Sequence, residues 1–174
     1  PTFEAAPYTT PMPGTVQFPM ENGSEPTISE KQALSNKEVG AVLVTISYNR
    51  DNASLEQKVE SFKRYVKELC IVNPKYAVLM KYTILNVTPD FVTFEVKNED
   101  KNRKSYVIAA RGTIYLSDYI GSNLNLVYHE QTLKLENYVQ DMKEQYGINF
   151  ANLTLIGHSM SGLSVQAVGY SLGI

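Results

Sequence analysis

The sequence has little cysteine, almost no net charge and no long apolar run. Its single cysteine, Cys70, excludes an intramolecular disulfide framework, and the apolar pattern around it indicates a thiol close to the core. The chain has 18 acidic and 16 basic residues, and its densest basic run, 101–104, is short, so no nucleic-acid partner is expected. No window approaches the roughly 18 continuous apolar residues that a membrane span needs. We therefore predict no transmembrane segment, although transient contact with a lipid surface is compatible with the sequence.

The sequence also lacks the patterns that hold metals and nucleotides. No Cys/His spacing suggests a metal site, and no Gly-rich phosphate loop follows the first predicted strand. We therefore predict no metal and no cofactor, and a nucleotide-binding domain is set aside. Neither a secreted nor a cytoplasmic location is indicated.

What is present suits one globular domain that follows an arm. The 174 residues, 43% of them apolar, are enough to bury a core. Residues 1–30 contain six of the eight prolines and little hydrophobic periodicity, which predicts an extended arm. Residues 31–174 are predicted to form the domain.

The first half of the domain indicates a strand, a helix and then a meander. Residues 39–48 form a β-rich apolar run that predicts a strand, with a helix as the alternative. Either Asn52 or Ser54 then caps a helix whose apolar residues follow the 3.6-residue period. The next stretches read as an antiparallel meander with turns between its strands, at 77–86, 91–97 and 105–110.

The second half indicates parallel pairing. A helix is predicted over 131–146 and ends at Gly147, a buried strand follows at 153–156, and residues 162–172 are again helical. Strands that alternate with helices imply a parallel α/β arrangement, which places functional groups at the carboxyl ends of the strands. Two loops lie at such ends, at 111–122 and 157–162.

The segment around Ser159 fits a nucleophile elbow. Small residues two before and two after the serine, Gly157 and Ser161, let a strand and a helix approach closely around a strained turn, and Gly162 follows at once. Such a turn exposes the serine hydroxyl while N–H groups at the helix start point toward a developing oxyanion. Met160 would supply one of these N–H groups.

A second oxyanion donor is expected after the strand that ends at Ala110. Arg111, Gly112 and Thr113 follow that strand as a Gly-containing turn, and Thr113 offers both an N–H and a hydroxyl. The tight turn and the neighbouring elbow would then face the same reacting atom.

Together, the Ala110-Arg111-Gly112-Thr113 segment and the elbow resemble the class 3 (fungal-type) lipase family of α/β hydrolases. Members join an apolar strand ending in Arg-Gly-Ser/Thr to a later Gly-His-Ser-Leu-Gly-Gly elbow, and the resemblance covers about residues 78–173. It implies an α/β-hydrolase-type sheet, in which an antiparallel meander leads into parallel strands with crossover helices. It also implies an ester hydrolase, acting on lipid or acylglycerol esters through an acyl-enzyme. The roles that it implies are nucleophile for Ser159, oxyanion donors for Thr113 and Met160, and framework for Arg111, Gly112, Gly157, His158 and Gly162.

The sequence departs from this family in three places. Ala110 replaces the more usual Phe and Ser161 replaces Gly, and neither change removes a catalytic group. In the family the acid and the general base follow the serine, yet none of the 15 residues after Ser159 is Asp, Glu or His. We assign His158 to packing beneath the turn, His129 to a structural or loop-orienting role, and Asp118 to a turn.

Two hypotheses follow from the missing acid and base. In the first, the sheet is incomplete on its C-terminal side, and a further segment or a second chain supplies the acid and the histidine. That hypothesis expects an open strand edge at 153–156 and apolar groups on more than one side of the last helix. In the second, the domain is a non-catalytic binding or assembly module that keeps the geometry of the elbow.

Overall fold

The computed structural model describes residues 35–48, 52–98, 103–112, 124–158 and 160–174, without the side chains of residues 124–126 and 160. The predicted arm, 1–30, and Asp118 lie outside the described residues. In the described ranges, the chain is a mixed α/β structure whose four strands form one sheet with helices on both faces.

The first helix, α1, spans Asn36–Ser47, so the predicted strand at 39–48 is wrong and its helical alternative is confirmed. Ser35 caps α1 in a capping box: its Oγ accepts from the N–H of Glu38, and the Glu38 carboxylate accepts from the N–H of Ser35. The apolar residues that suggested a strand also recur at helical spacing, with Val39, Leu43 and Ile46 buried. The cap and this buried face outweigh the β propensity.

Helix α2 spans Leu55–Val72 and begins at Ser54, not at Asn52. Ser54 forms a capping box with Gln57. A 3-10 helix, Pro74–Lys81, follows and occupies the first half of the predicted strand at 77–86. Pro74 is preset for a first helical position, and the side chain of Asn73 accepts from the N–H of Lys75, which starts a helical turn where the apolar run alone suggested a strand.

The sheet consists of β1 (Tyr82–Val87), β2 (Phe91–Lys97), β3 (Lys104–Ala110) and β4 (Leu153–Gly157), in that order. The first three strands pair antiparallel, which confirms the predicted meander. Strand β4 pairs parallel to β3, with Ala110 opposite Gly157, which confirms the predicted parallel pairing. The carboxyl ends of β3 and β4 therefore lie side by side.

Helix α3 spans Leu124–Tyr146 and crosses from β3 to β4, and α4 spans Met160–Leu172. Helix α3 begins seven residues earlier than the predicted 131–146, because the loop-like composition before Gln131 masked its first two turns. It ends at Gly147, which adopts φ +63°, as glycine does at a helix C-terminus. No helix in these described ranges is both long and apolar enough to cross a membrane.

Two apolar clusters, one on each face of the sheet, form the core. Alternate strand residues such as Phe94 and Val107 face α1 and α2, while their neighbours, such as Ile108 and Leu155, face α3 and α4. Cys70 packs, partly buried, against the first cluster. The sheet is thus the middle layer of three.

One polar link lies inside the second cluster. The buried hydroxyl of Thr93 lies 2.6 Å from the Tyr138 hydroxyl, which also donates to the side-chain oxygen of Asn86. Burial raises the pKa of Tyr138 above its ordinary value. This link fixes the register of α3 on the meander, because a buried hydroxyl without a partner would be costly.

Within the described residues, β4 is an outer strand of the sheet, as expected for 153–156, and the last helix exposes apolar side chains. Every residue of β4 is buried, because helices from both faces pack against the strand. On α4, Leu163 is 48% and Tyr170 is 93% exposed, while Val165 and Val168 are buried.

Candidate functional site

The candidate site lies where β4 ends and α4 begins. Strand β4 ends at Gly157 and α4 starts at Met160, so the predicted strand before Ser159 and the predicted helix after it are both found. Ser159 itself and Thr113 lie outside the described residues, so the geometry below is that of the groups that flank them.

Gly157 lies where strand and helix come closest. A Cβ atom at this position would lie 2.7 Å from the carbonyl oxygen of Ser161 and 2.9 Å from a methyl group of Val165. Backbone cannot yield as a flexible side chain can, so only glycine fits here. This is the steric demand that the turn places on the residue two before the serine.

Ser161 ties the turn together. Its buried hydroxyl accepts from the N–H of His158 at 2.9 Å and lies within donating distance of two carbonyl oxygens, those of His158 (2.6 Å) and Ala110 (3.1 Å). The hydroxyl therefore links the turn to the end of β3. A glycine would fit equally well but would provide no such link, so the departure at Ser161 has a structural use.

The start of α4 presents N–H groups at the candidate site. The first N–H groups of a helix have no acceptor within the helix, and they carry partial positive charge. Met160 is the first residue of α4, and Gly162, also in its first turn, is buried. No acidic residue lies in this first turn. The turn thus favours negative charge beside it.

Tyr48 joins the two loops that the sequence placed at this site. The N–H of Gly112 donates to the Tyr48 hydroxyl at 3.0 Å, and that hydroxyl lies 3.0 Å from Nδ1 of His158. The Tyr48 hydroxyl thus accepts from Gly112 and shares a second hydrogen bond with Nδ1 of His158, in which either atom can be the donor. A Cβ atom on Gly112 would collide with the Tyr48 hydroxyl and with the His158 carbonyl oxygen.

Arg111 anchors the end of β3 to the turn between β1 and β2. Its Nε and Nη2 atoms contact Oδ1 of the Asp90 carboxylate at 2.9 and 2.8 Å. Its backbone N–H donates to the backbone carbonyl oxygen of Asp90. Both side chains are partly buried, which strengthens the pair. The Arg111 guanidinium therefore holds the end of β3 against the turn between β1 and β2.

No protein-family model, curated protein or solved structure matches this chain. The geometry of its own residues therefore carries the functional argument.

A cavity of about 150 Å³ adjoins the turn, between α3, the end of β3 and the start of α4. Ser161, Gly112 and Arg111 line one side, and Gln131 and Lys134 of α3 line the other. The Gln131 side-chain oxygen is buried and finds no hydrogen-bond donor within the described ranges. It is thus an acceptor available to a small polar group in this cavity.

The structure brings some predicted residues together and leaves others apart. Arg111, Gly112, Gly157, His158 and Gly162 all lie around the turn, whereas His129 is exposed on α3 and contacts the ring of Tyr128. Across the described part of the chain, no cluster of three or more His, Cys, Asp or Glu residues could hold a metal.

The sequence analysis missed Tyr48, Asp90 and Gln131. Tyr48 is 110 residues from its partner His158, and no local pattern connects the two. Asp90 had a weak signal, since it follows Pro89 in a turn between two predicted strands. Gln131 had none.

Proposed function

We propose that this chain belongs to an α/β-hydrolase-type serine hydrolase with Ser159 as its nucleophile. The reaction is cleavage of carboxylic esters through an acyl-enzyme, and the substrate class that the family resemblance suggests is lipid or acylglycerol esters. The N–H groups of Met160 and Thr113 are the oxyanion donors in this proposal. Arg111, Gly112, Gly157, His158 and Gly162 form their framework.

The observation that best supports the proposal is that no side chain larger than that of glycine fits at position 157. An ordinary connection from strand to helix does not press the strand against the backbone two residues into the helix. A turn this tight is what projects the side chain at its apex away from the sheet.

The surroundings favour negative charge where a tetrahedral intermediate would form. The start of α4 provides N–H donors, and the pair of Arg111 with Asp90 holds the end of β3 beside them. The adjoining cavity is smaller than the 300 to 1,000 Å³ typical of ligand pockets. It suits a small polar fragment, such as the alcohol portion of an ester.

The general base and the acid come, in this proposal, from polypeptide outside this sequence. The chain has two histidines: Nδ1 of His158 is engaged by Tyr48, and His129 does not line the cavity beside the turn. That same observation favours the alternative function, a non-catalytic binding or assembly module of the same architecture.

Ester hydrolysis by the protein as its natural host makes it separates the two functions. We expect turnover of p-nitrophenyl butyrate, and we expect Ser159→Ala to lower kcat by about 10⁴-fold or more, as loss of a nucleophile does. The matched control is Ser171→Ala, at an exposed position of α4, which should leave kcat unchanged. Hydrolysis that survives Ser159→Ala would contradict the proposal, and a folded protein without any hydrolysis would support the module.

A further inference from the structure

A groove of about 340 Å³ lies between α2 and β1, which is one of the two outer strands of the described sheet. Its floor is formed by buried apolar side chains of α2, the 3-10 helix and β1, among them Phe62, Val66, Leu79 and Ile84. Met80 lies at its border with 61% of its surface exposed. The volume falls within the range of small-molecule sites, and the lining is as apolar as such sites require.

This groove is remote from the candidate active site. Lys97, which lines it, pairs across the sheet with Lys104 at the start of β3, whereas the turn around Ser159 follows Gly157, opposite Ala110 at the end of β3. The groove therefore lies toward the other end of the sheet, and the inference drawn from it is independent of the proposed hydrolase function.

The rim of the groove is positively charged on both walls. Lys63 and Lys67 lie one turn apart on α2, and Lys97 ends β2 on the opposite side. No acidic residue lines the groove among the described residues. Among the described residues, the ion pair of Lys63 is with Glu60, at 4.0 Å between highly exposed side chains, which is a weak pair.

We propose that this groove binds a single alkyl chain that ends in a carboxylate. The alkyl chain lies over Phe62, Val66 and Ile84, where it leaves water, and the carboxylate lies between the lysines of the two walls. A free inorganic anion would leave the apolar floor uncovered, and a neutral lipid would offer no opposite charge to the three lysines. A symmetric second copy of the chain is disfavoured because it would bring two sets of three lysines together.

Fluorescence titration of the full chain with a dansyl-labelled alkyl carboxylate tests this proposal. Dodecanoate should displace the probe at a concentration roughly fivefold or more below that of dodecanol, because two or more exposed ion pairs add to its binding. Dodecyltrimethylammonium should displace it least, since its head group repels the lysines.

Variants locate the site. The double variant Lys67→Gln/Lys97→Gln should weaken probe binding about fivefold, whereas Lys143→Gln on α3, across the sheet, should not change it. Val59→Trp fills the groove and should abolish binding, and Thr83→Trp, at an exposed lining position, serves the same purpose if Val59→Trp fails to fold.

Three results would overturn the proposal. The first is equal displacement by dodecanoate and dodecanol together with no effect of the lysine double variant. The second is binding that persists in a folded groove-filling variant. The third is a concentration-dependent dimer in light scattering that excludes the probe, which would assign the groove to a second copy of the chain.

Discussion

At the scale of single residues, two glycines mark different physical demands. Gly157 is confined by the backbone of α4, whereas Gly147 has open space around it and needs only its positive φ. The sequence predicted both positions, because the elbow and the end of a helix are local patterns.

Gly157→Ala should lower the free energy of unfolding by about 1 to 3 kcal/mol, since the added methyl group must displace backbone. It should also abolish ester hydrolysis, because the turn must open to admit the methyl group. Gly147→Ala is the control: it should cost about 1 kcal/mol through its left-handed backbone and leave hydrolysis intact. Urea unfolding and ester kinetics measure both effects, and a Gly157→Ala protein as stable and active as the wild type would contradict the packing described.

Tyr48→Phe removes the one hydroxyl that joins Gly112 to His158. We expect a loss of about 1 to 3 kcal/mol in unfolding free energy, because the N–H of Gly112 is left without a partner in a buried position. We also expect a lower kcat, because the loop that leads to Thr113 loses its anchor. Tyr65→Phe is the control, since Tyr65 is also partly buried against the first core cluster but its hydroxyl forms no hydrogen bond within the described ranges. Equal effects of the two substitutions would show that Tyr48 acts through packing alone.

At the scale of elements, local patterns predicted most of the secondary structure, and the failures have physical causes. The strand predicted at 39–48 is α1, because the capping box at Ser35 and Glu38 stabilises a helix that its β-branched residues disfavour. The start of the strand predicted at 77–86 is a 3-10 helix, because Pro74 and Asn73 favour a helical turn. In both cases the deciding residues lie just outside the apolar run.

The cap of α1 gives a pH-dependent prediction. A hydrogen bond from the Ser35 N–H, and then one from Lys75, hold the pKa of Glu38 below its ordinary value of 4.5. A carboxyl whose pKa is lower in the folded state stabilises the fold above its unfolded pKa, and this contribution is lost as the pH falls through the folded pKa. Because the Glu38 side chain is 43% exposed, solvent screening limits the contribution to about 0.5 kcal/mol.

Glu38→Gln keeps the hydrogen-bonding shape of the cap and removes its charge. We expect urea unfolding to show a deficit for this variant at pH 7 that is smaller at pH 3, because lowering the pH protonates the carboxyl of Glu38 and removes its charge. Glu60→Gln, on an exposed and weakly paired side chain, should show no such change. A deficit of Glu38→Gln that is the same at both pH values would exclude a role for the charge.

At the scale of the whole molecule, the sequence predicted which strands pair, but it did not predict the side-chain contacts between residues far apart in the chain. The meander and the parallel pairing of β3 with β4 follow from the order of elements and the short turns. Tyr48 contacts His158, and the side-chain oxygen of Gln131 is buried. Both features depend on how closely the helices on the two faces pack against the sheet. No periodicity in the sequence encodes these long-range contacts, so the roles of Tyr48, Asp90 and Gln131 could be found only in three dimensions.

The central claim is that Ser159 is an activated nucleophile, and a fluorophosphonate probe tests it most directly. The probe should be applied to the protein as its natural host makes it, and the modified peptide identified by mass spectrometry. We predict an adduct on Ser159 that is absent in Ser159→Ala and retained in Ser171→Ala. An adduct that persists in Ser159→Ala, or that maps to another residue, would contradict the claim.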